Sequence, residues 1–201
     1  KTLKALERAW SLKPKGPGVA IQLARIYRNN GDATKAEAVL TEALDRDPLD
    51  PSINFALAKH YLRMCENIER AAYFLGRSYN SSDRNYHARY IHAQYLFLTN
   101  DGSRSAQLFG EVNKLAPLDY QPRSGFEVSD ISKIIGRISG RLVSKEESYA
   151  FVKFPAYPND VYANVSDSDS EGWGPLALNT SVTCKIGFNR SGPVALDLCS
   201  D

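Results

Sequence analysis

Pro14, Pro48, Asp83 and Pro117 fall 34, 35 and 34 residues apart, and that beat constrains the chain more than any single residue does. In front of Pro48 lies GVAIQLARIYRNNGDATKAEAVLTEALDRDP, two amphipathic stretches hinged at Gly31-Asp32. A period of this length marks helical hairpins that stack, because one hairpin alone cannot bury its apolar face. Such an array presents a surface, so the expectation is recognition rather than catalysis.

Counted from Pro17, the first helix of the unit carries Leu23, Ala24 and Tyr27, and the second carries Ala36, Leu40 and Ala43. The small residues let the helix axes approach, and the larger ones fill the space between them. Asp32 is placed to cap the second helix, and Asp47-Pro48 to stop it. These residues resemble a tetratricopeptide repeat. The next unit keeps Leu57, Ala58 and Tyr61, gains one residue, then keeps Ala71, Leu75 and Ser78; a third, Tyr86 to Pro117, keeps Ala93 and Ala106. LKALERAWSLKP at the start reads as the second helix of a truncated unit, with Leu6 and Ala9 in register. The array is therefore expected to continue upstream, with this chain the C-terminal part of a longer protein.

In such an array the first helix of each unit lines the concave face. Register places Arg25, Arg28, Asn29, Lys59, Arg63, His87 and Tyr90 there. Clustered cations with an amide suit an acidic peptide of a protein partner, or a phosphate backbone; the alternative is a merely solvated helix face. The chaperone-tail clamp of this family wants Asn where Arg25 stands, so that ligand is not carried over.

From Gly140 the hydrophobic period becomes two. GRLV, YAFVKF, DVYANV, SVTCKIGF and PVALDL are short strands between turn-rich stretches, enough for a small closed barrel. Residues 166–175, SDSDSEGWGP, read as a mobile loop between the third and fourth strands. Between the halves, residues 120–138 read as a linker plus a short capping helix that carries Ile131, Ile134, Ile135 and Ile138 on one face. The fold expected is α + β and multidomain, with helical repeats over 1–119 and the barrel over 139–201.

Gly140-x-Leu142, Ser148 to Val152, Asp160 to Asn164 and Gly192-Pro193-Val194-Ala195 together resemble a cold-shock domain, the five-stranded oligonucleotide-binding (OB) barrel for single-stranded RNA or DNA. That resemblance implies base stacking on Tyr149, Phe151 and Tyr162, with Asn164 reading a base edge. Trp173 in the loop is a further stacker or else a local packing anchor. Glu146 and Glu147 stand where the family has Lys and Gly. An alternative therefore stays open, a structural barrel in a protein-interaction scaffold. The order of modules resembles the C-terminal ends of large multidomain proteins with an upstream NTPase or similar effector, defence and antiviral factors among them. It implies a sensing or regulatory role.

Composition adds exclusions. Residues 1–119 carry 17 Lys/Arg against 13 Asp/Glu, and residues 120–201 carry 8 against 10, so the halves differ in sign, net +4 and −2. Cys65, Cys184 and Cys199 form no close pair, which fits a reducing, cytoplasmic setting in which the four Asn-x-Ser sequons have no meaning. No apolar run nears the roughly 18 residues of a membrane span. His87 and His92 lie about 140° apart on a helix and do not converge on a metal. With no glycine-rich phosphate loop, HExxH or nucleophile elbow in the sequence, neither cofactor nor enzyme activity is expected in this chain.

Overall fold

Periodic placement of apolar residues yields helices in the first half and strands in the second. The computed structural model describes residues 2–12, 16–64, 67–80, 82–122, 135–168 and 170–201. The helices are α1 (Thr2–Ser11), α2 (Gly18–Asn29), α3 (Ala33–Arg46), α4 (Pro51–Met64), α5 (Ile68–Leu75), α6 (Tyr86–Leu98) and α7 (Gly102–Leu115). They precede β1 (Ile138–Lys145), β2 (Tyr149–Lys153), β3 (Val161–Asn164), the helical turn α8 (Ser170–Trp173), β4 (Ser181–Asn189) and β5 (Gly192–Ser200). The chain divides into two compact units, Lys1–Ala88 and Arg89–Asp201.

In the first unit the repeat pattern is realised residue by residue. Leu23, Ala24, Tyr27, Ala36, Leu40 and Ala43 are buried in the α2–α3 hairpin, and Leu57, Ala58, Tyr61, Ala71 and Leu75 in α4–α5. Each fully buried leucine contributes about 1.5–3 kcal/mol. Asp32 accepts from the Lys35 N–H at the start of α3, as expected, and Asp47 ends that helix. Asn67 and Asp101 do the same for α5 and α7, so an Asx cap recurs with the period of the repeat.

The second unit joins α7 and nearly all of α6 to the barrel. The sequence boundary at 119/120 thus lies inside this unit, and the compact units part at 88/89. The physical reason is aromatic. Phe97 meets Phe154, Tyr157 and Phe188 at ring-centroid distances of 6.3, 5.2 and 5.6 Å, and Phe109 stacks on Phe188 at 5.8 Å. A Cβ at Gly102 would sit 1.7 Å from the Ala156 carbonyl oxygen, so only glycine lets α7 start this close to the β2–β3 loop. At the α6–α7 crossing the buried small residue is Ser105, whose Oγ donates to the Ala93 carbonyl at 2.7 Å. Ala106, the expected packing residue, is only half-buried, because the Asp101 cap sets the register one residue earlier.

The barrel closes in the order β1-β2-β3-β5-β4, antiparallel except where β3 runs parallel to β5. Leu142, Ala150, Val152, Ala163, Val182, Cys184, Ile186, Ala195 and Leu198 fill its interior. The aromatic cluster sits at the end where β2 and β4 finish. At the opposite end, where β1, β3 and β5 finish, the 166–175 segment departs from expectation. A 3-10 turn (Val165–Asp167) and α8 form within it among the described residues, and Trp173 and Leu176 are buried. The Lys145 ammonium holds them by donating to the Gly174 and Leu176 carbonyls at 3.1 and 3.0 Å. Ile138 opens β1 opposite Cys184 and so belongs to the sheet rather than to a capping helix. Ile131 and Ile134 lie outside the described residues.

Candidate functional site

Two surfaces emerge, one in each unit. On the first, α2 packs against α4 as well as α3, so cations one helical turn apart on each helix share a face. Arg25 and Asn29 are exposed at the rim, as is Arg63 in the last turn of α4. Arg28 and Lys59 are half-buried. An Arg28 Nη1–H donates to the Ala56 carbonyl at 3.4 Å, which fixes that side chain against α4. The Lys59 ammonium rests 4.6 Å above the Phe55 ring. Desolvation, then the charges of Arg63 and Arg25, lowers the proton affinity of Arg28; desolvation, then Arg63 and Arg28, lowers that of Lys59. Among the described residues none of the four cations forms an ion pair, whereas Lys35, Arg46 and Arg70 in the same unit do, with Asp32, Glu42 and Glu37.

Tyr90, expected on this face, is not there. It is 1% exposed, its hydroxyl donates to the Phe188 carbonyl at 3.2 Å, and burial pushes its pKa up to about 12. The register is that of a groove residue, but the neighbour has become a barrel strand.

The second surface is the outer wall of β2 and β3. Strand alternation turns Tyr149, Phe151 and Tyr162 outward while Ala150, Val152, Val161 and Ala163 turn in. Cross-strand register sets Phe151 opposite Tyr162 and Tyr149 opposite Asn164. The tyrosine rings lie near-parallel, 21° apart with centroids at 6.2 Å, and Phe151 meets each edge-on at 5.9 and 5.8 Å. Both tyrosines are 39% exposed.

Asn164 does not project a free amide. Its Nδ2 donates to the Tyr162 hydroxyl at 3.0 Å, and its Oδ1 accepts from the Ser166 N–H at 2.9 Å. It positions the ring beside it and caps the turn behind. Trp173, only 6% exposed, is a packing anchor and cannot receive a base.

Sequence reasoning missed the extension of this wall across β5. Val194 stands opposite Tyr162 in the parallel pairing, with Leu196 two residues on. Gly187 makes room for both: a Cβ there would lie 2.8 Å from Leu196 Cδ1 and 3.2 Å from Val194 Cγ2. A glycine inside the SVTCKIGF strand was the available signal.

Charge on the barrel is already committed. Lys185 and Arg137 both bind the Asp197 carboxylate, at 2.9 and 2.7 Å, and hold its pKa low. Lys153 lies 3.6 Å from Asp160 and donates to the Pro158 carbonyl. Lys145 holds the plug, and Arg190 binds the end of α7. Among the described residues Arg141 is the one barrel cation without a hydrogen bond or ion pair. The described residues hold no His, Cys, Asp and Glu cluster able to bind a metal.

Stacked helical hairpins followed along the chain by a closed five-stranded barrel define the class, a two-part α + β architecture. Residues 1–59 match the tetratricopeptide repeat family model, which supports a protein-interaction role for the repeats. Among solved structures, the chain is similar to the MamA protein at 13% identity and a TM-score of 0.48, over 66% of this chain and 67% of that one. No curated protein matches the chain.

Proposed function

We propose that this chain is a non-catalytic recognition module whose barrel binds single-stranded nucleic acid and whose repeats dock an acidic segment of a protein partner. The observation that carries the barrel reading is the Tyr149–Phe151–Tyr162 platform, three rings in mutual contact on one open wall. The strand order with its single parallel pair supports a cold-shock-like barrel, a fold whose ligands lie across these two strands. Each base stacked on such a ring is worth about 1–3 kcal/mol by truncation.

A labelled single-stranded oligonucleotide, as RNA and as DNA, tests this. Saturable binding that weakens about 5- to 100-fold in Tyr149→Ala or Tyr162→Ala supports it. Because Arg141 is the one uncommitted barrel cation among the described residues, the salt slope is expected near that of one or two phosphates rather than six or more. No saturable binding at any salt overturns the barrel reading.

The neutralised cations favour a second reading, in which the barrel wall is a structural or protein-binding face. Tyr149→Ala would then leave oligonucleotide binding absent and alter only capture of a protein partner. The uncompensated α2–α4 cations carry the docking half of the proposal. Loss of binding to a Glu/Asp-rich peptide on Arg28→Glu with Arg63→Glu tests it.

A further inference from the structure

Three cations of the first unit have a carboxylate close by: Lys35 at 2.6 Å, Arg46 at 2.5 Å and Arg70 at 3.7 Å. Arg25, Arg28, Lys59 and Arg63 have none among the described residues, although two of them are half-buried. Like charges held together and partly desolvated oppose folding, and the opposition is relieved only by an anion from outside. The two half-buried groups are also held in place before any ligand arrives, Arg28 by the Ala56 carbonyl and Lys59 by the Phe55 ring. Pre-organised charge of this kind loses little side-chain entropy on binding.

We infer that this surface takes a phosphorylated segment of a protein partner, its phosphomonoester dianion seated on Arg28 and Lys59 with Arg63 and Arg25 closing on it from the rim. The inference rests on the docking reading given above and specifies its chemistry. Three of the four cations are guanidinium groups, whose planar forks match the oxygens of phosphate. A phosphomonoester brings close to two negative charges to one point near neutral pH, where a carboxylate brings one. Matching the cluster with carboxylates takes two or more acidic side chains at a fitted spacing; one phosphoserine or phosphothreonine does it alone. A nucleic-acid diester offers one charge per phosphate, spread along a strand, and suits a compact cluster on two adjacent helices less well.

The test uses the intact chain and three labelled peptide pools with neutral randomised flanks around a central phosphoserine, glutamate or serine. Anisotropy at moderate salt is expected to show the phosphoserine pool binding at least tenfold tighter than the glutamate pool, and serine not at all. Arg28→Gln with Arg63→Gln should abolish the preference, while Arg8→Gln with Arg77→Gln, cations elsewhere on the unit, should leave it intact. Phosphorus NMR of O-phosphoserine gives an independent readout. The second ionisation of its phosphate should move to lower pH with the parent chain and stay in place with the double variant.

Equal binding of the phosphoserine and glutamate pools overturns the phosphate inference and leaves acidic docking standing. If neither they nor a Glu/Asp-rich peptide binds, both fail. If an oligonucleotide binds in a manner lost in Arg28→Gln with Arg63→Gln while phosphoserine does not, the cluster belongs to nucleic acid and the inference is wrong.

Discussion

The two units handle rings and charges in opposite ways. In the repeats Tyr61 stacks on Phe74 with planes 2° apart and Tyr27 is buried with its hydroxyl on Glu7, while the exposed Tyr73 ring is covered by the Arg77 guanidinium at 3.7 Å. The cations of α2 and α4 are left uncompensated. In the second unit five of the six described barrel cations are tied to carboxylates or backbone carbonyls, and three rings are left in the open. The lesson is that a recognition surface is whatever the fold leaves unsatisfied. The α2–α4 face presents unpaired cations, and the β2–β3 wall presents rings.

The largest expected effect separates a ring used by the fold from rings left by it. Trp173→Ala removes the buried plug of the barrel and is expected to cost about 3–5 kcal/mol. Tyr149→Ala, on an open wall, is expected to cost less than about 1 kcal/mol. Urea unfolding in a Trp10→Phe background reads the first effect by near-ultraviolet circular dichroism. Equal costs for the two substitutions break the comparison.

Acid tests whether the second unit tolerates a buried charge at all. His92, 2% exposed, has its pKa lowered to about 4 by burial and then by the charge of Arg104, with Asp101 opposing. The unfolded chain takes up the proton near pH 6.5 and the folded one does not until about pH 4. Stability is therefore fully present above pH 6.5 and falls by roughly 1.4 kcal/mol per pH unit below it, to a loss of roughly 3 kcal/mol near pH 4. Urea midpoints read through Trp173 fluorescence in the Trp10→Phe background should follow this slope. His92→Gln should flatten it between pH 6.5 and 5. His60 in the first unit is shifted in the same direction, chiefly by burial, so its unit is expected to lose stability with acid as well.

Much of this was legible because side-chain period encodes secondary structure. Leu23, Tyr27, Ala36 and Leu40 declare a helix face at 3.6 residues per turn. Tyr149, Phe151 and Tyr162 declare a strand face at two. What the sequence did not disclose depends on partners far along the chain. Trp173 sits in a polar stretch and is buried where α8 packs on β5 and Lys145, 28 residues earlier, holds the Gly174 and Leu176 carbonyls. Tyr90 keeps the register of a groove residue but meets Phe188, 98 residues away. Ser105 displaces Ala106 from the helix crossing because one cap residue shifts the register.

Arginine supplies the next contrast. Arg190, in the β4–β5 turn, donates to the carbonyls of Asn113 and Ala116 at 3.2 and 2.8 Å and of Pro117 and Leu118 at 2.8 and 3.1 Å. The last carbonyls of a helix lack intrahelical donors, and a cation there also answers the helix dipole. Arg190→Ala leaves these groups to water and is expected to cost about 2 kcal/mol, read by the same Trp173 unfolding curve. Arg190→Lys should recover only part of the loss, since one ammonium cannot span four carbonyls.

Arg63 should respond with the opposite sign. It stands four residues from Lys59 on α4 and adds to the field on Arg28, without an ion-pair partner among the described residues. Like charges at this spacing on a helix cost about 0.2–0.5 kcal/mol. Arg63→Gln is therefore expected to stabilise the first unit by about that amount at low salt, and by almost nothing at 1 M salt, where screening acts within about 3 Å. Thermal melts of a Trp173→Phe variant, which leaves Trp10 as the reporter, measure the gain. A substitution that raises stability while weakening anion binding identifies a charge kept for a ligand. Destabilisation by Arg63→Gln would show that the cluster serves the fold, and the contrast between the two units would fall.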